Sequence, residues 1–141
     1  MTYKYAMAGL LATCVMVALS IEVATGQSKK TRASYTAAQA ERGKDSYVSS
    51  CMDCHGANLD DGEFGGAPLK GTAFRDKWLS GPVGSLFAYT AAAMPPDRPG
   101  RLPPETYADI VAYLLSRNGI GAGNEELPAD LATLMTLTIQ P

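Results

Sequence analysis

The sequence contains few side chains that bind metals or carry redox chemistry, with one histidine and three cysteines in 141 residues. A bis-histidine metal site within one chain is therefore excluded. A basic excess is also missing, because 12 Lys and Arg residues face 14 Asp and Glu residues. This balance gives no excess of positive charge that would favour binding to nucleic acid. Nowhere do β-branched residues alternate with polar ones over a useful length, so strands are not predicted.

The scarce residues are concentrated, because Cys51, Cys54 and His55 lie within five positions. Two thiols three residues apart share one face of a helical turn. Both sulfurs can therefore form thioethers with the two vinyl groups of one porphyrin, and the histidine is a good iron ligand. Cys-x-x-Cys-His is the attachment pattern of a c-type haem. We therefore expect one covalent haem c on Cys51 and Cys54, with His55 as proximal iron ligand.

Three other interpretations of the Cys-x-x-Cys pattern compete with haem. A thioredoxin-type redox pair is expected near a βαβ pattern, which is absent. A zinc site needs four ligands, and no second Cys/His pair exists. A structural disulfide between Cys51 and Cys54 leaves His55 unexplained.

Residues 1–26 are typical of a secretory signal peptide. Lys4 supplies the positive charge, residues 5–21 are uncharged and mostly apolar, and small residues precede Gln27. Cleavage would remove Cys14 and leave two cysteines, both used by haem. An uncleaved membrane anchor is the main alternative, since the run is near the lower limit of a spanning helix, and a lipid anchor on Cys14 is a third. Each interpretation places the domain outside the cytoplasm, in the periplasm.

The rest of the chain is divided into a flexible lead-in at 27–34, a domain at 35–119 and a C-terminal tail at 120–141. Thr36 and Gln39 form a capping box, and Gly119 is positioned as a C-terminal cap. Apolar spacing and these boundary signals predict helices at 37–50, 74–79, 85–93 and 104–117, with a further turn of helix within 130–137. The glycine-rich stretch 56–71 is expected to be a loop.

The second axial ligand is expected to be a methionine, whose thioether raises the reduction potential of c-type sites. Three methionines remain after removal of the leader. Met52 lies inside the attachment motif and cannot reach the opposite face of the ring. Met94 stands 39 residues after His55, and Pro95 biases it toward an extended backbone. Met94 is therefore the preferred ligand, with Met135 as the alternative.

Together these features resemble a class I c-type cytochrome over about residues 35–118. The resemblance includes the small monohaem bacterial cytochromes that accompany periplasmic quinoprotein dehydrogenases. It rests on the attachment motif, the Met94–Pro95 loop and flanking-helix residues, namely Gly43, Tyr47, Tyr113 and Leu114. It implies an all-α, small cytochrome c-like fold with short helices packed around one haem.

The resemblance also implies roles for individual residues. Gly43 and Tyr113 would meet where the first and last helices cross. The carbonyl of Pro68 would accept a hydrogen bond from the His55 ring and raise its basicity. Trp78 would lie near a haem propionate, and the tail after Gly119 would cover a haem edge.

A six-coordinate His/Met haem has no open site for substrate, so the expected function is one-electron transfer rather than catalysis. The expected partners are a periplasmic dehydrogenase or membrane cytochrome complex as donor, and a terminal oxidase or another cytochrome as acceptor. A fixed cytochrome subunit of a dehydrogenase complex is the alternative. A haem peroxidase or gas sensor is less favoured, because no histidine remains as a distal acid or base.

Overall fold

A computed structural model describes residues 31–60, 62 and 64–140. The leader predicted at 1–26 and the first four residues of the lead-in lie outside this part. The described residues form a small all-α, cytochrome c-like fold of six helices: α1 (Ala37–Ser50), α2 (Met52–His55), α3 (Thr72–Trp78), α4 (Val83–Ala93), α5 (Pro104–Arg117) and α6 (Leu131–Leu134). None of these helices is long and apolar enough to cross a membrane.

The fold is built on the crossing of α1 and α5. A Cβ atom built on Gly43 would overlap the Asp109 carbonyl, so the two backbones touch at this glycine. One turn further along both helices, the rings of Tyr47 and Tyr113 pack 5.3 Å apart. Both Gly43 and Tyr113 thus lie at the crossing, with Gly43 against the Asp109 backbone and the Tyr113 ring against Tyr47.

Helix α5 ends as its cap signal predicts. Gly119 has a φ of 86°, a left-handed conformation that glycine adopts without strain. The Ile120 amide donates to the Leu115 carbonyl (3.1 Å), and the Gly119 amide donates to the Ser116 carbonyl (3.3 Å). This pair of bonds is a Schellman motif. Ile120 is buried beside it, so the chain turns back toward the core after the helix.

The N-terminus of α1 uses only half of the predicted capping box. Thr36 accepts a hydrogen bond from the Gln39 amide at 3.0 Å. The Gln39 side chain does not return to the cap. It donates to the Leu127 carbonyl at 3.0 Å and accepts from the Leu127 amide at 2.8 Å. This buried amide therefore holds the C-terminal segment against α1.

The segments before and after the predicted domain pair with each other. Strands β1 (Thr31–Arg32) and β2 (Leu137–Thr138) form a two-stranded parallel sheet. The buried core also includes side chains from both segments, namely Ala33, Leu127, Leu134 and Ile139. A flexible lead-in was therefore the wrong description of residues 31–34. These stretches are too short for a periodic signal, and their pairing spans more than a hundred residues.

Gln39→Ala should lower the free energy of unfolding of the holoprotein by about 2–4 kcal/mol, because it leaves both backbone groups of Leu127 without their partner. Urea unfolding followed by circular dichroism measures the change. Gln140→Ala is the matched control, since the Gln140 side chain is exposed, and it should alter stability by less than about 0.5 kcal/mol. Equal losses in the two variants would show that the Gln39 contacts contribute nothing.

Candidate haem-binding site

A cleft is lined by residues from α1 to α5 and from the loops that follow α2 and α4. It encloses about 1040 Å³ of space not filled by protein atoms, part of which is open to solvent. Its lining is mostly apolar or aromatic, with side chains such as Leu69, Phe74, Trp78, Leu86, Ile110 and Leu114. Among the described residues, the lining includes no carboxylate, and Lys77 is its only lysine or arginine.

Cys51 and Cys54 lie on one wall of this cleft. Cys51 ends α1, where its amide donates to the Tyr47 carbonyl at 2.8 Å, and its own carbonyl accepts from Cys54 (3.2 Å) and His55 (3.0 Å). The motif is thus one tight turn continuous with α1. Both thiols are free of disulfide bonds.

The environment of Cys51 argues against a redox pair of the thioredoxin type. Burial raises the pKa of the Cys51 thiol to about 11, although the nearby Arg101 charge opposes this rise. A reactive redox thiol needs a lowered pKa. Within the described residues, no three His, Cys, Asp or Glu side chains are grouped to hold a metal ion, so a zinc site gains no support.

His55 lines the same cleft and is about nine-tenths buried. Its Nδ1 lies 2.7 Å from the carbonyl oxygen of Ala67. A carbonyl can only accept, so Nδ1 must carry the proton and donate it. Nε2 then keeps its lone pair and can ligate iron. Such a bond also fixes the orientation of the ring.

The acceptor is Ala67, so the expectation that it would be Pro68 was wrong by one residue. The Gly66 amide donates to the Cys54 carbonyl at 2.6 Å and holds the loop against the attachment turn. A Cβ on Gly66 would overlap that carbonyl. The next carbonyl, that of Ala67, therefore reaches the imidazole, while Pro68 lines the cleft.

Other residues that hold this loop were not predicted from sequence. The Leu69 amide donates to the Leu59 carbonyl at 2.8 Å. Asn118, at the end of α5, donates from Nδ2 to the Leu69 carbonyl at 2.9 Å. The Tyr47 hydroxyl donates to the Gly56 carbonyl at 2.6 Å. The sequence gives no signal for these bonds, because each joins segments whose approach depends on the folded chain.

Met94 lines the cleft that holds the attachment motif. It caps the C-terminus of α4 with an extended backbone, as its place before Pro95 predicts. Of the three methionines in the described part of the chain, Met94 alone lines the cleft. Met135 is 47 % exposed, with its sulfur beside Gly84, and Met52 packs against the core.

Trp78 lies in the cleft wall near the opening. Its ring is 5.4 Å from that of the half-exposed Tyr89, and the Lys77 ammonium lies 4.7 Å and 4.8 Å from the centres of these two rings. No described residue after Leu114 lines the cleft. The expectation that the tail would cover a haem edge was therefore wrong, because residues 120–140 fold back against α1, α4 and β1.

These residues fit a haem c. Two thiols at the attachment spacing, a buried imidazole with a free ring nitrogen and a thioether share one apolar cleft. Cys51 and Cys54 would hold the macrocycle, and His55 would bind its iron. Apolar walls suit the porphyrin faces and keep water away from the metal.

A comparison with protein families agrees with this geometry. The family model described as "Cytochrome C oxidase, cbb3-type, subunit III" matches residues 38–114, more than half of the chain. The match includes the attachment motif and Met94. Searches of curated proteins and of solved structures found no significant match. The resemblance to class I c-type cytochromes is thereby confirmed. The chain belongs to the cytochrome c oxidase, cbb3-type, subunit III family, and its c-type cytochrome domain binds a covalent haem c for electron transfer.

Proposed function

We propose that the protein carries single electrons in the periplasm through a haem c ligated by His55 and Met94. The donor is a dehydrogenase or cytochrome complex, and the acceptor is an oxidase or another redox protein. One observation carries the proposal: Met94 is the only described methionine that lines the cleft of Cys51, Cys54 and His55. The haem supplies a one-electron iron couple when bound.

The side chains of the cleft favour electron transfer over catalysis. A peroxidase or gas sensor uses an open iron position and commonly a distal acid or base. In the part of the chain that the structure describes, the cleft lining has no carboxylate and no second histidine. Two of its hydroxyl groups are engaged elsewhere, since Thr90 donates to the Leu86 carbonyl and Tyr47 donates to the Gly56 carbonyl. These two hydroxyl protons are therefore not offered to a bound substrate.

Electron exchange with a partner would take place at the opening of the cleft. Several lining residues are exposed there, namely Ala67, Pro68, Ala73, Lys77, Tyr89 and Pro96. Most of them are small or apolar and protrude little. This surface suits the small, transient contacts of redox proteins.

A fixed subunit of a redox complex is the second candidate. The family description names a subunit of an oxidase, which favours permanent association over free diffusion. Association of this protein with a dehydrogenase is proposed because its Met94 loop resembles that of cytochromes that accompany such enzymes. Purification of the protein from mild detergent extracts separates these roles: a shuttle elutes alone, whereas a subunit elutes with a larger partner.

The ligation is tested with Met94→Ala in the haem-loaded protein. The wild-type ferric protein should show the weak far-red sulfur-to-iron charge-transfer band, and the variant should lose it. Its reduction potential should fall by on the order of 100 mV or more, because the axial ligand is a principal determinant of haem potential. Optical spectroscopy and a redox titration measure both effects.

Met135→Ala is the matched control for this experiment. Met135 is half-exposed and lies outside the cleft, so the band and the potential should stay unchanged. Retention of the band in Met94→Ala, together with its loss in Met135→Ala, would assign the ligand to Met135 and overturn the proposal.

A further inference from the structure

Tyr107 connects the proposed ligand loop to a different helix. It lies in the first half of α5 and is 3 % exposed. Its hydroxyl donates to the backbone carbonyl of Met94 at 2.8 Å. A buried phenol needs a hydrogen-bond partner. Here the partner is the carbonyl of Met94, which lines the same cleft as His55.

The backbone of Met94 is thereby fixed at both of its polar groups. Its amide donates to the Thr90 carbonyl at 3.0 Å, a bond that continues α4 by one residue. Its carbonyl accepts from Tyr107. Pro95 and Pro96 have no amide hydrogen, so the loop after Met94 cannot supply donors of its own at these two positions. The Tyr107 bond is therefore well placed to stop this end of α4 from moving away from the cleft.

A thioether is a weak neutral ligand, so its binding depends on how well the protein holds it in place. Ordering a group before it binds removes part of the entropic cost of binding. A Met94 backbone fixed by α5 keeps the sulfur near the position it occupies when bound. With the carbonyl released, the loop gains alternative conformations, and an external ligand competes more easily.

We propose that Tyr107 is a positioning residue that holds Met94 in place and so limits access of small external ligands to the iron. This inference rests on the proposed ligation by Met94. It attributes the limited access of external ligands to a side chain that lies outside the ligand loop. Tyr107 does not touch the iron; it acts through the backbone of Met94.

The test compares imidazole binding to the haem-loaded ferric forms of wild type and Tyr107→Phe. Imidazole is titrated while the far-red sulfur-to-iron band is monitored. Loss of one buried hydrogen bond corresponds to about a tenfold change in an equilibrium. Tyr107→Phe should therefore bind imidazole about tenfold more tightly. In stopped-flow experiments at high imidazole, where departure of the sulfur limits the rate, the limiting rate should rise by a similar factor.

Tyr35→Phe is the matched control. Tyr35 is also a buried tyrosine, but its hydroxyl donates to the Ile120 carbonyl and the residue does not line the cleft. The control should bind imidazole as the wild type does. If the two variants bind imidazole equally, or if Tyr107→Phe matches the wild type, the positioning role is overturned.

A second modification tests the role without removing the hydroxyl. Site-specific 3-fluorotyrosine at position 107 provides a more acidic phenol and hence a stronger donor to the Met94 carbonyl. At pH 6 the limiting rate of imidazole binding should decrease, opposite to the effect of Tyr107→Phe. An unchanged or increased rate would contradict the inference even if the phenylalanine variant fails to assemble with haem.

Different results would reject the ligation by Met94 and the role of Tyr107. If Met94→Ala keeps the far-red band, the ligation itself is wrong and the role of Tyr107 falls with it. If Met94→Ala loses the band but Tyr107→Phe binds imidazole like the wild type, the electron-transfer proposal stands and only the role of Tyr107 is rejected.

Discussion

Protein with Cys51→Ala/Cys54→Ala, prepared without haem, should be largely unfolded and should show no cooperative thermal transition. The two thioethers are expected to keep the cofactor attached in the cleft. Without it, the apolar walls of a cleft of about 1040 Å³ would face water. Domains of this size are stable by only about 5–15 kcal/mol, so exposure of this surface should remove most of the stability.

The arrangement of the helices explains why the loss should be global. Helices α1 and α5 cross directly, but α2, α3 and α4 surround the cleft and contact one another through few side chains. Phe74 of α3 and Leu86 of α4 are buried and also line the cleft. Haem would complete the core against which these short helices pack. Short helices are marginal in water without such packing.

Calorimetry and far-ultraviolet circular dichroism measure this effect, with the haem-loaded wild type as reference. Asp53→Ala is the matched control, because it changes an exposed residue inside the motif and leaves both thiols and His55 in place. It should assemble with haem and melt cooperatively. A cooperative transition in the haem-free double variant would show that the polypeptide core is sufficient by itself.

The helices with local boundary signals could be predicted from sequence. Helix α1 follows the cap at Thr36, and α5 starts at Pro104 and ends before Gly119, so both have the predicted bounds. Such signals act between residues within one helical turn of each other, so residues that are close in sequence are also close in space. The covalent attachment site could also be predicted from sequence, because all of its attachment residues lie between Cys51 and His55.

The features that sequence could not predict depend on contacts between distant segments. The partner of Gln39 is the backbone of Leu127, which has no side-chain signal for this role. The acceptor for His55 is a backbone carbonyl, so its identity depends on the path of the loop and not on the residue type. The strands β1 and β2 are two residues each, too short for a period of alternation.

Gly43→Ala should be strongly destabilising, with a loss of about 3 kcal/mol in the free energy of unfolding. Helix propensity alone predicts the opposite, since alanine is favoured over glycine by about 1 kcal/mol within a helix. The Cβ atom, however, would overlap the Asp109 carbonyl and approach the Ile110 amide to 3.0 Å. Both obstacles are backbone atoms, so α1 and α5 must separate, and overpacking of this kind outweighs the gain in propensity.

Gly121→Ala is the matched control, because a Cβ at this position would meet no atom within 4 Å and its φ is not in the left-handed region. Its stability in urea should stay within about 0.5 kcal/mol of the wild type. A Gly43→Ala protein as stable as this control would show that the helices can separate at little cost. Since α1 runs into Cys51, the displaced helix should also move the attachment turn. We therefore expect Gly43→Ala to lower the yield of haem-loaded protein, measured as the haem absorbance per polypeptide, and the control to leave that ratio unchanged.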